Sequence, residues 1–469
     1  MDEKSVKYKT LLKDTVIFAI GSIGSKIILF LLVPLYTNIL TTEEYGISDL
    51  FHTVAEILYP IFCLTIFNAV IRFGLSQKVK TEDVLVNGLI VCVFGAIITI
   101  SCYPFTIIFT PLKEWGWHLV VFIISLMFLE VELNYLKIKD KNKLFAIICL
   151  IQTSILAVTN IITIAFLRVG TKGYIYSYVI STFIALIIPF CFSFTRQDIK
   201  NGKFNKSLIA DMMKYSSPLV LTALSWMIIH SSDKLMIEGM IGVAALGLYT
   251  SATKIPALIN VLSNVFSQAW GITSIKEIES TNDNEFYSEV FSLFSTLLFA
   301  ISMVIISFIK PIMSVYVGKD FAPSWVYVPL LLVAAVFSAI SGYFSSMYAA
   351  LKKSLNNMVC TMMCALINVI VNYLGIKNLG ITGAVIGTIV SFTLLAYIKM
   401  FDVKRYIDIK INVIFYVNSI LVIVQAILIA SKFSNLVIII LVPLLFFVIN
   451  SRNLLKIIKK IEHFNGITK

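Results

Sequence analysis

Long apolar runs separated by short charged connectors recur along this sequence and constrain its fold more than any other feature. Only 14% of the 469 residues are charged, against about 25% in a soluble domain. In lipid every backbone polar group must be satisfied within the chain, so a run of about 20 apolar residues crosses the membrane as an α-helix. The sequence therefore predicts an all-α polytopic membrane protein and excludes a water-soluble fold.

Fourteen runs are predicted as transmembrane helices, in groups of six, six and two. The first six are Thr15 to Leu40, Gly46 to Ile71, Val84 to Ile108, Trp117 to Leu136, Leu144 to Leu167 and Gly173 to Thr195. The next six are Tyr215 to Ile237, Val243 to Trp270, Val290 to Ile309, Val326 to Leu351, Met358 to Ile376 and Ile381 to Met400. The last two are Val413 to Ala430 and Leu436 to Ile449. We expect a six-helix lobe over residues 1–206, a second over 207–402, and two additional helices with a basic tail over 403–469.

The distribution of basic residues predicts the orientation of the chain. With a cytoplasmic N-terminus, 28 of the 38 Lys and Arg residues fall in or beside cytoplasmic connectors, eight lie at outer connectors and two lie within spans. Cytoplasmic loops carry such an excess of Lys and Arg. We therefore expect the protein to lie in the cytoplasmic (inner) membrane, with both termini in the cytoplasm. The net charge of +12 is then explained by orientation and not by a nucleic-acid partner.

Motifs for chemistry are lacking in the sequence. No connector is long enough for a soluble catalytic domain, and neither a phosphate-binding loop nor a Ser/His/Asp arrangement is found. The seven cysteines all fall in apolar runs, where they act as small hydrophobes. Cys360 and Cys364 share a helix face but lack the further ligands that a metal site needs. The sequence predicts no enzyme activity, no cofactor and no metal.

Two pairs of similar short motifs suggest an internal repeat. Tyr45-Gly46-Ile47 is followed 201 positions later by Leu246-Gly247-Leu248. Gly173-Tyr174-Ile175 is followed 210 positions later by Gly383-Ala384-Val385. Two halves with an even number of spans are parallel, an arrangement found in transporters that rock about a central site. The repeat points to transport.

Ionisable residues at membrane depth are the candidates for function, because a charge there costs about 3 kcal/mol on insertion scales. Lys26, Glu56 and Lys254 lie near the middle of their spans. Asp49, His52 and Glu56 share one face of the second span. Alternatively, Lys26 or Lys254 has a purely structural role and only neutralises the buried charge of Glu56. A cation in each half would instead give a central cavity suited to an amphipathic anion.

Four further sets of polar or charged residues are also candidates or need an interpretation. Asn264 and Gln268 continue the helical stripe that contains Lys254 and are included as cavity residues. Asp233 lies beside Lys234 at the outer end of the seventh span, where it is either an ion-coupling group or part of a local ion pair. Arg72 is either a cavity cation or an orientation signal. Glu130 and Glu132 are interpreted as solvated charges near a cytoplasmic end.

Several short motifs resemble those of the Wzx-type polysaccharide-biosynthesis flippases, within the multidrug/oligosaccharidyl-lipid/polysaccharide exporter superfamily. They include Leu40-Thr41-Thr42-Glu43-Glu44-Tyr45-Gly46, Ala69-Val70-Ile71-Arg72-Phe73, Asp233-Lys234, Leu246-Gly247-Leu248-Tyr249 and Leu379-Gly380-Ile381-Thr382-Gly383-Ala384. The resemblance implies twelve core helices plus two, and export of an undecaprenyl-diphosphate-linked oligosaccharide by alternating access. It implies coupling to protons or sodium ions, contact with membrane lipids, and polysaccharide polymerase and glycosyltransferases as partners.

The resemblance also implies roles for individual residues. In related lipid II flippases, basic residues on the first, second and eighth helices line the cavity, and Lys26 and Lys254 match the first and eighth positions. Glu56 stands in the second helix instead, which makes it a candidate for ion coupling together with His52, Asp49 and Asp233. Lys26, Lys254, Arg72, Asn264 and Gln268 are the candidates for substrate binding.

Three alternative functions have some of the same features. A multidrug and toxin extrusion antiporter would share the fold. A lipid-linked polysaccharide polymerase should have a large outer loop, which the sequence lacks. A major-facilitator transporter also has parallel halves, but the loop from Arg72 to Asp83 lacks the Gly/Asp/Arg-rich signature of that family.

Overall fold

The structure is a computed structural model, and it describes residues 24–76, 79–104, 110–280, 284–351, 353–431, 436–451 and 453. Every regular element within these ranges is a helix, which confirms the predicted all-α polytopic fold. The chain forms two compact units that divide between Met227 and Ile228. The boundary predicted between residues 206 and 207 stays a prediction.

The helices of the first unit follow the predicted spans closely. They are α1 (Gly24–Ile39), α2 (Thr42–Phe62), α3 (Ile66–Gly74), α4 (Thr81–Ser101), α5 (Gly116–Ile138), α6 (Asn142–Asn160), α7 (Thr171–Cys191) and α8 (Ser193–Asn201). A π-helical turn, Ile161–Phe166, extends α6. Helix α5 is the most enclosed element of this unit, with 78% of its apolar window buried.

The second unit begins within α9 (Lys206–Met240) and has the larger number of long helices. The others are α10 (Val243–Ser280), α11 (Asn284–Ser307), α12 (Ile309–Tyr316), α13 (Val328–Ala350), α14 (Ser354–Leu379), α15 (Ile381–Val403), α16 (Val413–Ala430) and α17 (Leu436–Ile449). Helix α13 is its central element, also with 78% of its apolar window buried.

The described helices differ in how well each suits a membrane. Nine are long and apolar enough to cross one, and the bent pair α2 and α3 makes ten. Helices α1 and α17 have shorter apolar stretches, while α9 and α10 are 35 and 38 residues long but contain polar and charged residues. These four correspond to the remaining predicted spans. Two of them, α9 and α10, carry the polar residues of the candidate site.

The second predicted span is a broken helix. Helices α2 and α3 meet at an angle of 54°, where Leu64 and Thr65 both have a φ near +50°. Pro60 lies one turn earlier and has no N–H to donate within the helix. The Thr65 hydroxyl donates a hydrogen bond of 2.9 Å to the carbonyl of Ser216, which compensates for part of the backbone strain of a β-branched residue in this region.

Helix positions and turn geometry support an internal repeat. Helix α10 begins at Val243, 201 residues after the start of α2 at Thr42, and α15 begins at Ile381, 210 residues after the start of α7 at Thr171. The glycines that precede α7 and α15, Gly170 and Gly380, have the same backbone conformation, with φ 60° and ψ −137°. Only glycine adopts this region without strain, so the two units use the same turn at equivalent points.

Candidate functional site

A polar cavity of about 240 Å³ lies within the second unit. Helices α9, α10, α13 and α15 enclose it, and α9 and α10 supply most of its polar groups. On α9 the spacing of three and four residues places His230, Asp233 and Lys234 on one side of the helix. The lining also includes Lys254, Asn260 and Thr388.

Asp233 is the buried carboxylate of this cavity, with 5% of the residue exposed. The Tyr249 hydroxyl donates a hydrogen bond to Oδ2 of Asp233, and the Lys234 backbone N–H donates to Oδ1 at 2.8 Å. The Thr388 hydroxyl lies 3.5 Å from Oδ2. A buried carboxylate with such neighbours can exchange a proton or attract a cation without the full cost of an isolated charge.

A cluster of amides lies beside this carboxylate. The Ser232 hydroxyl donates to Oδ1 of Asn368 at 2.8 Å, and Nδ2 of Asn372 donates to the same oxygen at 3.0 Å. Both asparagines are fully buried. The Oδ1 atom of Asn372 lies so close to Gly387, the neighbour of Thr388, that a Cβ there would overlap with it. The amide cluster and the Asp233 site are therefore parts of one polar region.

The same cavity contains two lysines against one carboxylate. Lys234 and Lys254 both line it, one from α9 and one from α10. The His230 ring lies 5.3 Å from the Phe392 ring on the cavity wall. Cationic side chains in a cavity favour an anionic ligand. The structure thus brings together Lys254, predicted for substrate binding, and Asp233, predicted for ion coupling.

Two other residues of α10, Asn264 and Gln268, were predicted to bind substrate together with Lys254. Asn264 is exposed and lies outside the cavity lining, because it is ten residues beyond Lys254, about 15 Å along a helix. The side chain of Gln268 lies outside the described part of the chain. Asn260 lines the cavity instead. Its position two turns after Thr253 could have indicated this from the sequence.

The first unit carries the predicted acidic and imidazole face of α2. Asp49 is buried, with 5% exposed, while the side chains of His52 and Glu56 are 36% and 46% exposed. Nε2 of His52 lies 3.9 Å from Oε1 of Glu56. The helical spacing therefore places these three residues as predicted, with the last two on an open surface.

Lys26 and Arg72 are both exposed, on α1 and in the last turn of α3. Among the ion pairs of the described residues, the partner of Glu56 is His52, and a pair between Lys26 and Glu56 is not found there. The roles of Lys26 and Arg72 stay predictions.

Two charged residues are far more buried than the sequence indicated. Glu132, interpreted as a solvated charge, is 2% exposed, and within the described residues neither carboxyl oxygen has a hydrogen-bond partner. Lys399, counted with a cytoplasmic connector, is fully buried and donates a hydrogen bond of 2.8 Å to the Ser345 hydroxyl. Glu132 lies on an enclosed face of α5, and Lys399 lies on an enclosed face of α15. Because both runs are apolar on all sides, the sequence does not indicate which face is buried.

Within the described residues, no group of three or more His, Cys, Asp or Glu side chains is placed to hold a metal ion. The cavity combines two lysines, one buried carboxylate and several neutral oxygen and nitrogen groups. Binding and release, with proton or cation exchange at the carboxylate, is the chemistry that these groups support.

Comparison with known proteins identifies relatives by sequence. The family model described as "Polysaccharide biosynthesis protein" matches residues 11–271. Protein 1 of the Lsg locus of Haemophilus influenzae is 22% identical over 335 residues, which cover 70% of this chain and 81% of that protein.

Solved structures share the fold. The lipid II flippase MurJ in an inward closed conformation matches with a TM-score of 0.70 at 15% identity, over 94% of this chain and 100% of that one. An inward-facing multidrug resistance MATE family transporter of the MOP superfamily matches with a TM-score of 0.68 at 16% identity, over 84% of this chain and 94% of that one. These similarities establish that this chain shares the polytopic helical fold of those proteins.

Proposed function

Because the chain belongs to the polysaccharide biosynthesis protein family, we propose that it is a flippase for an undecaprenyl-diphosphate-linked oligosaccharide. It would move the repeat unit across the cytoplasmic membrane for the assembly of O-antigen, capsule or exopolysaccharide. The observation that carries this proposal is the cavity of the second unit, in which Lys234 and Lys254 accompany the buried Asp233.

The two lysines fit the diphosphate part of this substrate. A diphosphate that enters a cavity of low dielectric loses its hydration, and charge-assisted hydrogen bonds of about 1.5–3 kcal/mol each recover part of that loss. A lysine presents a compact charge with rotatable donors, so it can follow a diphosphate that moves during transport. Lys26, Arg72, Asn264 and Gln268 remain proposed contacts along the route.

Ion coupling is assigned to Asp233 first, since its carboxylate shares the cavity with the lysines. A proton or sodium ion bound there would change the charge that the diphosphate meets, so the two ligands would influence each other through one cavity. Glu56, His52 and Asp49 are proposed as a second ion-responsive group in the first unit. Alternating access would then convert an ion gradient into net export.

The test is complementation of a flippase-deficient strain, with the membrane level of each variant measured in parallel. Lys254→Ala should weaken substrate binding about tenfold or more, because one charge-assisted contact is lost, and should therefore reduce surface polysaccharide. Lys254→Arg should retain part of the activity, and Lys254→Glu should abolish it by repulsion. Normal polysaccharide with both Lys26→Ala and Lys254→Ala would contradict the proposed site.

A drug antiporter with the same fold predicts a different phenotype. Expression would then raise resistance to cationic drugs and leave the surface polysaccharide of the deficient strain unrestored. The same complementation strain, grown with and without drugs, separates the two functions.

The proposed orientation has its own measurement. With both termini cytoplasmic, reporter fusions at Lys203 and Lys404 should be read as inside, and fusions at Glu43 and Lys319 as outside. A reversed result at any two of these positions would contradict the orientation.

A further inference from the structure

The open face of α2 in the first unit combines charged and aromatic groups that the diphosphate does not need. The side chains of His52 and Glu56 are 36% and 46% exposed, and Tyr178 of α7 is half-buried beside them. The rings of His52 and Tyr178 lie 4.9 Å apart at an angle of 64°. We call these three side chains the α2–α7 face.

The exposure of this face suits water and polar solutes. It lies in the middle of the second predicted span, where exposure of an ionised side chain to hydrocarbon costs several kcal/mol. Side chains that are 36% and 46% exposed at that depth favour an aqueous space over lipid tails beside this face.

A rigid aromatic support lies behind the face. Tyr178 stacks on Tyr174 with ring centroids 4.9 Å apart, and their hydroxyl oxygens are 3.3 Å apart. Tyr174 in turn contacts Tyr36 at 5.0 Å between ring centroids. Phe122 lies 6.0 Å from Tyr178 in an edge-to-face arrangement. Because Tyr36, Tyr174 and Phe122 are all buried, the half-buried ring of Tyr178 is held in one position.

We propose that the α2–α7 face binds the saccharide part of the lipid-linked substrate. The inference rests on the proposed flippase function and names which part of the substrate this face recognises. A sugar has apolar C–H faces and a rim of hydroxyl groups. The C–H faces suit the ring of Tyr178, while the hydroxyl groups suit a carboxylate that accepts and an imidazole that donates or accepts.

Charge excludes the other part of the substrate from this face. Glu56 and the buried Asp49 are acidic, so a diphosphate would be repelled here while a neutral saccharide would not. The cavity of the second unit has the opposite bias, with two lysines for one carboxylate.

The experiment compares two ligands that share the diphosphate. Purified full-length protein is titrated with the lipid-linked oligosaccharide that accumulates in a flippase-deficient strain, and separately with undecaprenyl diphosphate. Tyr178→Leu should weaken binding of the oligosaccharide ligand about tenfold, since loss of a stacked ring costs about 1–1.5 kcal/mol. Binding of undecaprenyl diphosphate should stay within about twofold. Tyr178→Phe keeps the ring and should stay close to the parent for both ligands.

Matched controls guard against a folding effect. Tyr176→Leu changes the same residue type on the same helix at a position that is 40% exposed and contacts His118 at 5.1 Å between ring centroids. It should leave both affinities unchanged. His52→Ala is the second test variant, because its side chain is partly exposed. It should also weaken the oligosaccharide ligand alone.

The possible results distinguish a failure of the sugar-binding inference from a failure of the flippase proposal. If Tyr178→Leu and His52→Ala weaken both ligands equally, or neither, the α2–α7 face does not recognise sugar and the inference is wrong. If the parent protein binds undecaprenyl diphosphate but gains nothing from the attached sugar, the inference is also wrong while the flippase proposal stands. If the parent protein binds neither ligand, the flippase proposal itself fails.

Discussion

The hydrogen bond from Tyr249 to Asp233 predicts that substitutions around it reduce the stability of the second unit by different amounts. Asp233 is 5% exposed and Tyr249 is 1% exposed, so the hydrogen bond between them is shielded from most of the solvent. A hydrogen bond to a charged group contributes about 1.5–3 kcal/mol. Tyr249→Phe should therefore reduce the free energy of unfolding by about that amount if the carboxylate is ionised.

Thr388 supplies an internal comparison on the same carboxylate. Its hydroxyl lies 3.5 Å from Oδ2 of Asp233 but donates its single proton to the carbonyl of Ala384 at 2.9 Å. The longer contact is beyond normal hydrogen-bond distance. Thr388→Val should therefore cost less than Tyr249→Phe, about 1 kcal/mol or below.

A double-mutant cycle isolates the charge. Asp233→Asn keeps the shape of the side chain and an acceptor oxygen but removes the negative charge. In that background Tyr249→Phe should cost only about 0.5–1.5 kcal/mol, so the coupling energy should be about 1–2 kcal/mol. Unfolding by sodium dodecyl sulfate in mixed micelles, followed by tryptophan fluorescence, measures each free energy.

One control variant and two outcomes that would contradict the prediction complete this test. Tyr373→Phe removes the same hydroxyl at a position that is 51% exposed, and it should change stability by no more than about 0.5 kcal/mol. Equal costs of Tyr249→Phe in the parent protein and in the Asp233→Asn variant would show that no charge is stabilised. A Thr388→Val cost as large as that of Tyr249→Phe would refute the geometric ranking.

Three further outcomes are expected. Glu56→Gln should keep the level of folded protein but lose the dependence of transport on the ion gradient; transport that still follows the gradient when it is collapsed and restored would contradict the coupling role. Gly383→Leu should abolish folding of the second unit, because a Cβ there would overlap with the Gly375 carbonyl group; the matched Gly271→Leu, with no atom within 4 Å of its Cβ, should be tolerated, and equal melting temperatures would refute the argument. Glu132→Leu should leave the protein as stable or more stable, since it removes a buried carboxyl group without a hydrogen-bond partner in the described structure; a loss above about 2 kcal/mol in detergent unfolding would contradict this.

The motif Thr41-Thr42-Glu43-Glu44 shows how a local signal can be read without tertiary structure. Its spacing is that of a capping box, in which Ser or Thr and a Glu three residues later satisfy each other's backbone N–H groups. In the structure the Thr41 hydroxyl accepts from the Glu44 N–H at 3.1 Å, and Glu44 Oε2 accepts from the Thr41 N–H at 2.9 Å. The second predicted span begins at Gly46, four residues after the start of α2 at Thr42, and the capping box is the local signal in the sequence that marks the observed start.

Side-chain burial within equally apolar helices could not be predicted in the same way. Tyr174 lies near the start of the predicted span from Gly173 to Thr195, and nothing in that apolar run indicates that its ring is 4% exposed and stacks on Tyr178 inside the first unit. A run that is apolar on all sides has no periodicity to indicate which face meets lipid and which meets protein. The burial of Glu132 and Lys399 is hidden from the sequence for the same reason.

Hydrophobicity, helical period and capping act over a few residues. They were enough to predict the membrane setting, the helical fold, the approximate limits of most spans and the spacing of the polar groups along α2, α9 and α10. Long-range packing was needed to show that Asp233, Tyr249, Lys254 and Thr388 share one cavity and that Asn264 lies outside it. Residues on three helices separated by up to 155 positions meet only through packing, and the close approach of glycines that brings α14 and α15 together depends on the whole second unit.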